Sequence, residues 1–361
     1  MIKKIFKANF IFYLLLIFLA GACNRHLTKF NPETVKLYPP PPDTARLQFL
    51  TSFSNSQQIN GPRSAFSRFL FGEPPVKELL KPYGITIKGA KIYICDTGLR
   101  GIVIIDLENK DYQNFIPSGK GQLNVPLNCC LDEFGNLFVA DGDRKQVVVF
   151  DKSLNYAYAI GEAEEFKPTD VFVSGNNIYI SNITGHQISV YDKITHSKKI
   201  AFPESETGKE EFLYSPTNIF VNDSGIYVSD MGDSKVKRFS LDGRYISSFG
   251  SYGKNPGQFV RLKGIALDRE SNVYAVDAGF ENVQIFNEKG QLLMFFGGPY
   301  KGPGDMWLPA KVAIDYENLG YFRDFVDPEY SLEYLVFVTN QYGPEKISIY
   351  GFIKPLPEVI K

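Results

Sequence analysis

Asn218-Ile219-Phe220-Val221-Asn222-Asp223-Ser224-Gly225-Ile226-Tyr227-Val228-Ser229-Asp230 is the stretch that decides the fold. Ile219 and Val221, then Ile226 and Val228, alternate with other residues at period two, which is the pattern of a strand. Asp223-Ser224-Gly225 between them is a hairpin turn, and Asp230 is an acidic stop. The phrase recurs at Leu131–Asp141 and at Leu267–Asp277. Working outward from these copies gives six units along the chain. Their openings are Pro82-Tyr83-Gly84-Ile85, Pro126-Leu127-Asn128-Cys129, Pro168-Thr169-Asp170-Val171, Pro216-Thr217-Asn218-Ile219, Leu262-Lys263-Gly264-Ile265 and Pro309-Ala310-Lys311-Val312. Second strands end at Asp96, Asp141, Asn182, Asp230, Asp277 and Asn340, at spacings of 45, 41, 48, 47 and 63. Such spacings are those of propeller blades rather than helical repeats.

Third strands follow at 101–106, 146–151, 187–192, 235–240, 282–287 and 346–351, and fourth strands are clearest at 244–250 and 291–297. The sixth unit has no fourth strand of its own, whereas Arg46–Phe53 is a strand without a blade. Pairing Arg46–Phe53 with Lys346–Gly351 closes the ring and removes an exposed edge. The expected fold is therefore all-β: one six-bladed propeller of four-stranded antiparallel blades over residues 45–354, with a tail at 355–361. Two aromatic-rich segments exceed the average blade. Residues 61–79, with Phe66, Phe69, Leu70, Phe71 and a short helix at 63–70, precede blade one. Glu317–Glu333 enlarges the first hairpin of blade six. Both are expected to plug one end of the channel or to pack on a blade edge, and a recognition role is the other reading.

Composition agrees with many strands and turns: 31 Gly, 22 Pro, 21 Tyr and 30 Phe in 361 residues. The net charge is −1 and no long Lys/Arg run is present, so nucleic acid is not an expected partner. At the N-terminus Lys3, Lys4 and Lys7 precede an apolar run from Phe10 to Ala20, right for an export signal and short for a membrane span. It ends in Leu19-Ala20-Gly21-Ala22-Cys23, which resembles a bacterial lipobox, with Ala20 where the usual leucine stands. Residues 1–23 are read as a lipoprotein signal with lipid attachment at Cys23, and 24–44 as a tether stiffened by Pro39-Pro40-Pro41-Pro42. The expected location is the cell envelope, outside the cytoplasm, with the membrane held through the N-terminal lipid.

In a blade the first strand lines the channel and the second runs antiparallel to it, so the start of one and the end of the other share a face. Two circles of residues follow. The inner one is Gly84, Asn128, Asp170, Asn218, Gly264 and Lys311. The outer one is Asp96, Asp141, Asn182, Asp230, Asp277 and Asn340, expected to satisfy the N–H groups of turns. Asp170 and Lys311 are three blades apart and face each other across the channel. Asn128, Asp170, Asn218 and Lys311 form the candidate ligand site at the channel mouth, or a polar channel whose groups bind water. Three cysteines remain beyond Cys23. Cys95 lies in the second strand of blade one, and adjacent blades bring it near Cys129 and Cys130, which point to opposite faces of the first strand of blade two. A disulfide from Cys95 to either, or buried free thiols, both remain open.

The motifs Pro-x-Gly/Asn-Ile, Ile-Tyr-Val-x-Asp and an aromatic-Gly ending, best seen in Pro216–Gly250 and Leu262–Gly297, resemble NHL repeats. The ending Thr339–Phe352, with Phe71-Gly72-Glu73, is similar to bacterial NHL-type six-bladed propeller lipoproteins. The resemblance implies the fold and leaves function open. Related propellers include peptidyl-α-hydroxyglycine lyase, with channel histidines holding a metal. Here only His26, His186 and His196 exist, none at an inner-circle position, so three-histidine chemistry is not expected. Gluconolactonase-like propellers hold calcium, which Asp170, Asn128 and Asn218 imitate, although Lys311 opposes a cation. No Gly-x-Ser-x-Gly, P-loop or HExxH motif is present. The leading expectation is a binding or scaffold module without a cofactor, engaging a protein, peptide or glycan of the envelope. The second is a calcium-dependent hydrolase, lactonase or lyase at the same mouth. A third is an architectural component that uses the aromatic insertions.

Overall fold

The computed structural model describes residues 30–31, 35–60, 75–161 and 166–357. Cys23, the signal segment and the helix expected at 63–70 lie outside them. Six sheets are arranged with their first strands touching in a closed circle. Blade one comprises Pro82–Lys88, Lys91–Asp96, Gly101–Asp106 and Asp111–Phe115. Blades two to five repeat this order from Pro126, Pro168, Pro216 and Leu262, each with four antiparallel strands.

Blade six is different. Pro309–Asp315, Tyr330–Asn340 and Ile347–Pro355 are joined by Leu47–Phe53 and then by a fifth strand, Lys36–Tyr38. Leu47 pairs with Phe352 and Phe53 with Ile347, so the first long strand after the N-terminal region completes the last sheet, as the sequence predicts. The fifth strand corrects the boundary expected for the tether. Lys36–Tyr38 pairs with Leu47–Phe49, and Pro39–Asp43 forms the turn between the two strands rather than an extended spacer. Tyr38 is held by a hydrogen bond from its hydroxyl to the Gly304 carbonyl, 2.6 Å.

The core is divided in the same way as the chain. Six apolar clusters each fill the gap between two adjacent blades. Period-two alternation is the cause: in blade three Ile180 faces blade two while Tyr179 faces blade four. Burying both faces of every sheet makes each blade depend on its neighbours. The enlarged hairpin of blade six packs outside the channel. Its helix Leu319–Phe322 sets Phe322 edge-on to Phe337, 5.8 Å between ring centres. Gln48 bonds the Phe325 carbonyl and the Asp327 N–H.

One feature recurs in all six blades and positions the channel residues. The pairing of first and second strands slips just after the opening residue, between Pro82 and Ile85, Pro126 and Asn128, Pro168 and Asp170, Pro216 and Asn218, Leu262 and Ile265, and Pro309 and Val312. Such a bulge re-aims a side chain. Here it lies at every inner-circle position.

Candidate functional site: the polar channel and its upper opening

The outer circle holds the blades together. Asp96 accepts the N–H groups of Leu80, Lys81, Gly98 and Leu99 at 2.7–3.0 Å. Asp141, Asp230 and Asp277 do the same for their own turns, and Asn182 and Asn340 accept one N–H each from the incoming loop. The four aspartates and Asn340 therefore tie the loop arriving from the previous blade to the turn leaving the second strand. This is the turn role read from the sequence.

In the inner circle, three of the four predicted polar residues meet. The Lys311 ammonium donates to Asp170 Oδ2 at 2.7 Å and to Asn218 Oδ1 at 2.8 Å. Asp170 is 2% exposed and Asn218 is fully buried. Asp170 also accepts the N–H groups of Val171 and Ile219. Burial pushes its carboxyl up from the usual carboxylate range, against the pull of Lys311 and of these two donors. Asn128, also buried, turns aside and donates to the Thr169 carbonyl at 2.7 Å. Its Oδ1 and the Nδ2 of Asn218 have no protein partner, so channel water is the expected complement. The glycines of the circle make room for this packing: a Cβ on Gly84 would come within 2.6 Å of Asn128 Oδ1, and one on Gly264 within 2.6 Å of Lys311 Cα.

These residues lie beneath the opening rather than at it. On one side a cavity of about 210 Å³ runs away from Asp170 and Lys311, walled by Ile87, Phe172, Phe220, Leu267, Ile314 and Tyr316. On the upper side, where first strands begin, Tyr83 and Lys263 cover them. Tyr83 is half-buried, and desolvation together with the nearby Asp170 charge pushes its phenol up to about 12. Lys263 places its ammonium 4.9 Å from the centre of the Tyr83 ring. Tyr83 thus contacts Lys263 on one hand and stands close enough to Asp170 to feel its charge on the other. Neither Tyr83 nor Lys263 was singled out in the sequence, because each precedes an inner-circle position and strict alternation would turn it away from the channel. The bulge signal that would have found them is visible only in the pairing.

The arrangement does not suit calcium. Calcium needs several oxygen ligands, and the one carboxylate here already meets an ammonium and two N–H groups. Among the described residues no group of three or more His, Cys, Asp or Glu could hold a metal ion. His186 contacts the Leu213 and Tyr214 carbonyls and stacks near Phe212, and His196 stacks on Tyr158. Both are remote from the inner circle. Cys95, Cys129 and Cys130 are buried free thiols. Cys95 and Cys129 share the cluster between blades one and two, whereas Cys130 faces blade three. Burial pushes the Cys95 and Cys130 thiols well up, the opposite of an activated nucleophile.

Comparison with known proteins agrees on architecture. The family model DUF5128, described as a 6-bladed beta-propeller, matches residues 195–287, from the end of blade three through most of blade five. No curated protein matches the chain in sequence. Solved structures with a similar fold include a virginiamycin B lyase from Staphylococcus aureus, 14% identical over 79% of this chain and 87% of that one, TM-score 0.53. A calcium-binding protein, regucalcin, from Agrobacterium tumefaciens is 13% identical over 77% and 91%, TM-score 0.53. A gluconolactonase from Xanthomonas campestris is 14% identical over 86% and 97%, TM-score 0.54. At these identities the likeness is one of fold. The chain is a six-bladed β-propeller with four-stranded antiparallel blades, to which the N-terminal region adds the strands that complete blade six.

Proposed function

We propose that the protein is a membrane-tethered binding propeller of the cell envelope, outside the cytoplasm, engaging a peptide, protein or glycan on the face where its first strands begin. The observation that carries this reading is the unequal furnishing of the channel. Its deep charges, Asp170 and Lys311, are paired with each other, whereas the upper face offers a buried cation without a counter-charge and exposed aromatics. Tyr252 is 73% exposed, and Trp307 and Tyr342 are 46% exposed. All three stand on loops of that face, and Trp and Tyr are the residue types that anchor interfaces. The NHL-like repeats, the lipobox-like Leu19–Cys23 and the basic-then-apolar N-terminus support the envelope setting.

A metal-dependent hydrolase, lactonase or lyase is the competing reading, favoured only by the fold of the structural neighbours. It fits poorly because Lys311 stands where the cation would. The test is crosslinking followed by co-purification from envelopes, comparing the wild type with a Tyr252→Ala/Trp307→Ala/Tyr342→Ala variant and with Phe134→Ala/Ile194→Ala on the opposite face. The expected result is a partner lost only from the first variant. Retention by both, or loss from the second alone, would sink the reading. Globomycin-sensitive processing, abolished by Cys23→Ala, is expected for the lipid anchor.

A further inference from the structure

Lys263 is 8% exposed, yet among the described residues it makes no hydrogen bond and no ion pair; its one contact of that kind is the face of Tyr83. Buried ammonium groups are ordinarily paired, and this protein obeys the rule elsewhere. Lys237, with no exposed side-chain area, reaches Asp230 at 3.1 Å, Asp233 at 2.9 Å and the Phe212 carbonyl. Lys311 has Asp170 and Asn218.

The surroundings of Lys263 add positive charge rather than cancel it. Arg261 and Lys81 are close enough to act on its ionisation, and with desolvation, the larger cause, they bring it down to about 8. The outer-circle carboxylates of blades five and one accept backbone N–H groups and make no ion pair with Lys263. Asp277 takes the Val260 and Arg261 N–H groups, and Asp96 takes those of Leu80 and Lys81. Asp170, close enough to act on Tyr83, is matched by Lys311. A fourth cation, Lys346, spends its donors on the carbonyls of Leu80 and Gln341. Lys81 lies over the ring of Tyr342, 5.5 Å from its centre, which connects the cationic corner to the exposed aromatics of the upper face.

We propose that the upper opening of the channel is an oxyanion site, in which Lys263 on the Tyr83 ring, flanked by Lys81 and Arg261, receives a carboxylate or phosphate group of the ligand. An anion there supplies the missing partner of the buried ammonium and is attracted by both flanking cations. This rests on the binding reading above and gives it a chemistry: the ligand presents an anionic end to the channel and its body to the aromatics.

Competitive acylation with acetic anhydride, read lysine by lysine by mass spectrometry, tests the site on the intact protein without knowledge of the native ligand. The probes are succinate and inorganic phosphate, and the internal reference is exposed Lys289. Either anion at millimolar concentration is expected to slow acylation of Lys263 at least about fivefold while Lys289 is unchanged. Protection by succinate alone assigns a carboxylate ligand, by phosphate alone a phosphorylated one, and by both the shared chemistry. Arg261→Met and Lys81→Met, which keep Lys263, are expected to weaken the protection about threefold each. Equal slowing of Lys263 and Lys289, or no slowing by either anion, overturns the proposal. So does a Lys263 that resists the reagent altogether, since an ammonium sealed from acetic anhydride cannot meet a ligand. Protection without any partner in the envelope experiment would instead count against the macromolecular part of the binding reading alone.

Discussion

Lys311 and Lys263 occupy adjacent levels of one channel and differ in everything that surrounds them. Lys311 finds a carboxylate at 2.7 Å and an amide oxygen at 2.8 Å. Lys263, on the preceding blade and nearer the opening, finds an aromatic face and two other cations. The lower level is a closed electrostatic circuit that joins blade three to blade six. The upper level has an excess of one sign. Polarity alone therefore does not mark a ligand site in a propeller; what matters is whether the polar groups are already matched.

The largest expected effect is at the matched level. Lys311→Met leaves Asp170 buried without its cation and should cost about 3–5 kcal/mol in chemical denaturation. Replacing both partners, Asp170→Leu with Lys311→Met, should recover most of it. A loss below about 1 kcal/mol for the single variant would break the contrast between the levels. Next comes the outer circle. Asp277→Ala strips the acceptor from the N–H groups of Val260, Arg261, Gly279 and Phe280, with an expected cost of about 2–3 kcal/mol by the same measurement.

At the unmatched level the sign should reverse. Lys263→Met is expected to stabilise the fold by roughly 1–2 kcal/mol near neutral pH, because it removes a buried charge that has no counter-charge. Desolvation, with Arg261 and Lys81 nearby, holds the folded-state pKa of this ammonium down at about 8, below its ordinary value of 10.5. Between those values the unfolded chain binds more protons, so wild-type stability should rise with pH across that window and the variant should lack this rise. Melting curves at pH 7, 8, 9 and 10 decide it. Smallest of all is the effect of calcium: melting temperature should not move at millimolar concentration, and a saturable rise lost in Asp170→Ala would restore the metal-dependent reading.

Much of this was legible in the sequence because propeller information is local and repeated. The hairpin of Asn218–Asp230 and its copies carry the blade count, and the stops at Asp96, Asp141, Asp230 and Asp277 carry the loop clamps. The spacing of blades carries the meeting of Asp170 with Lys311 across 141 residues. What stayed hidden depends on departures from alternation or on distant contacts. The slip between Leu262 and Ile265 brings Lys263 over the channel, where a regular strand would have turned it outward. The strand at Lys36–Tyr38 was masked by the prolines after it, and its anchor at Gly304 lies 266 residues away.

That short strand also decides how the ring meets mechanical load. A pull on the chain ahead of Phe30 meets the hydrogen bond from the Phe30 N–H to the Asp324 carbonyl, 2.9 Å, before it reaches the pair Lys36–Phe49, then Leu37–Gln48 and Tyr38–Leu47, so the strand peels one rung at a time. The Lys36–Asp305 ion pair, 2.5 Å, and the Tyr38 hydroxyl on Gly304 pass part of the force to the loop between blades five and six. Leu47–Phe53, the strand that closes the ring, feels tension only after those fastenings have yielded, so the outermost strand acts as a mechanical fuse for the circle behind it.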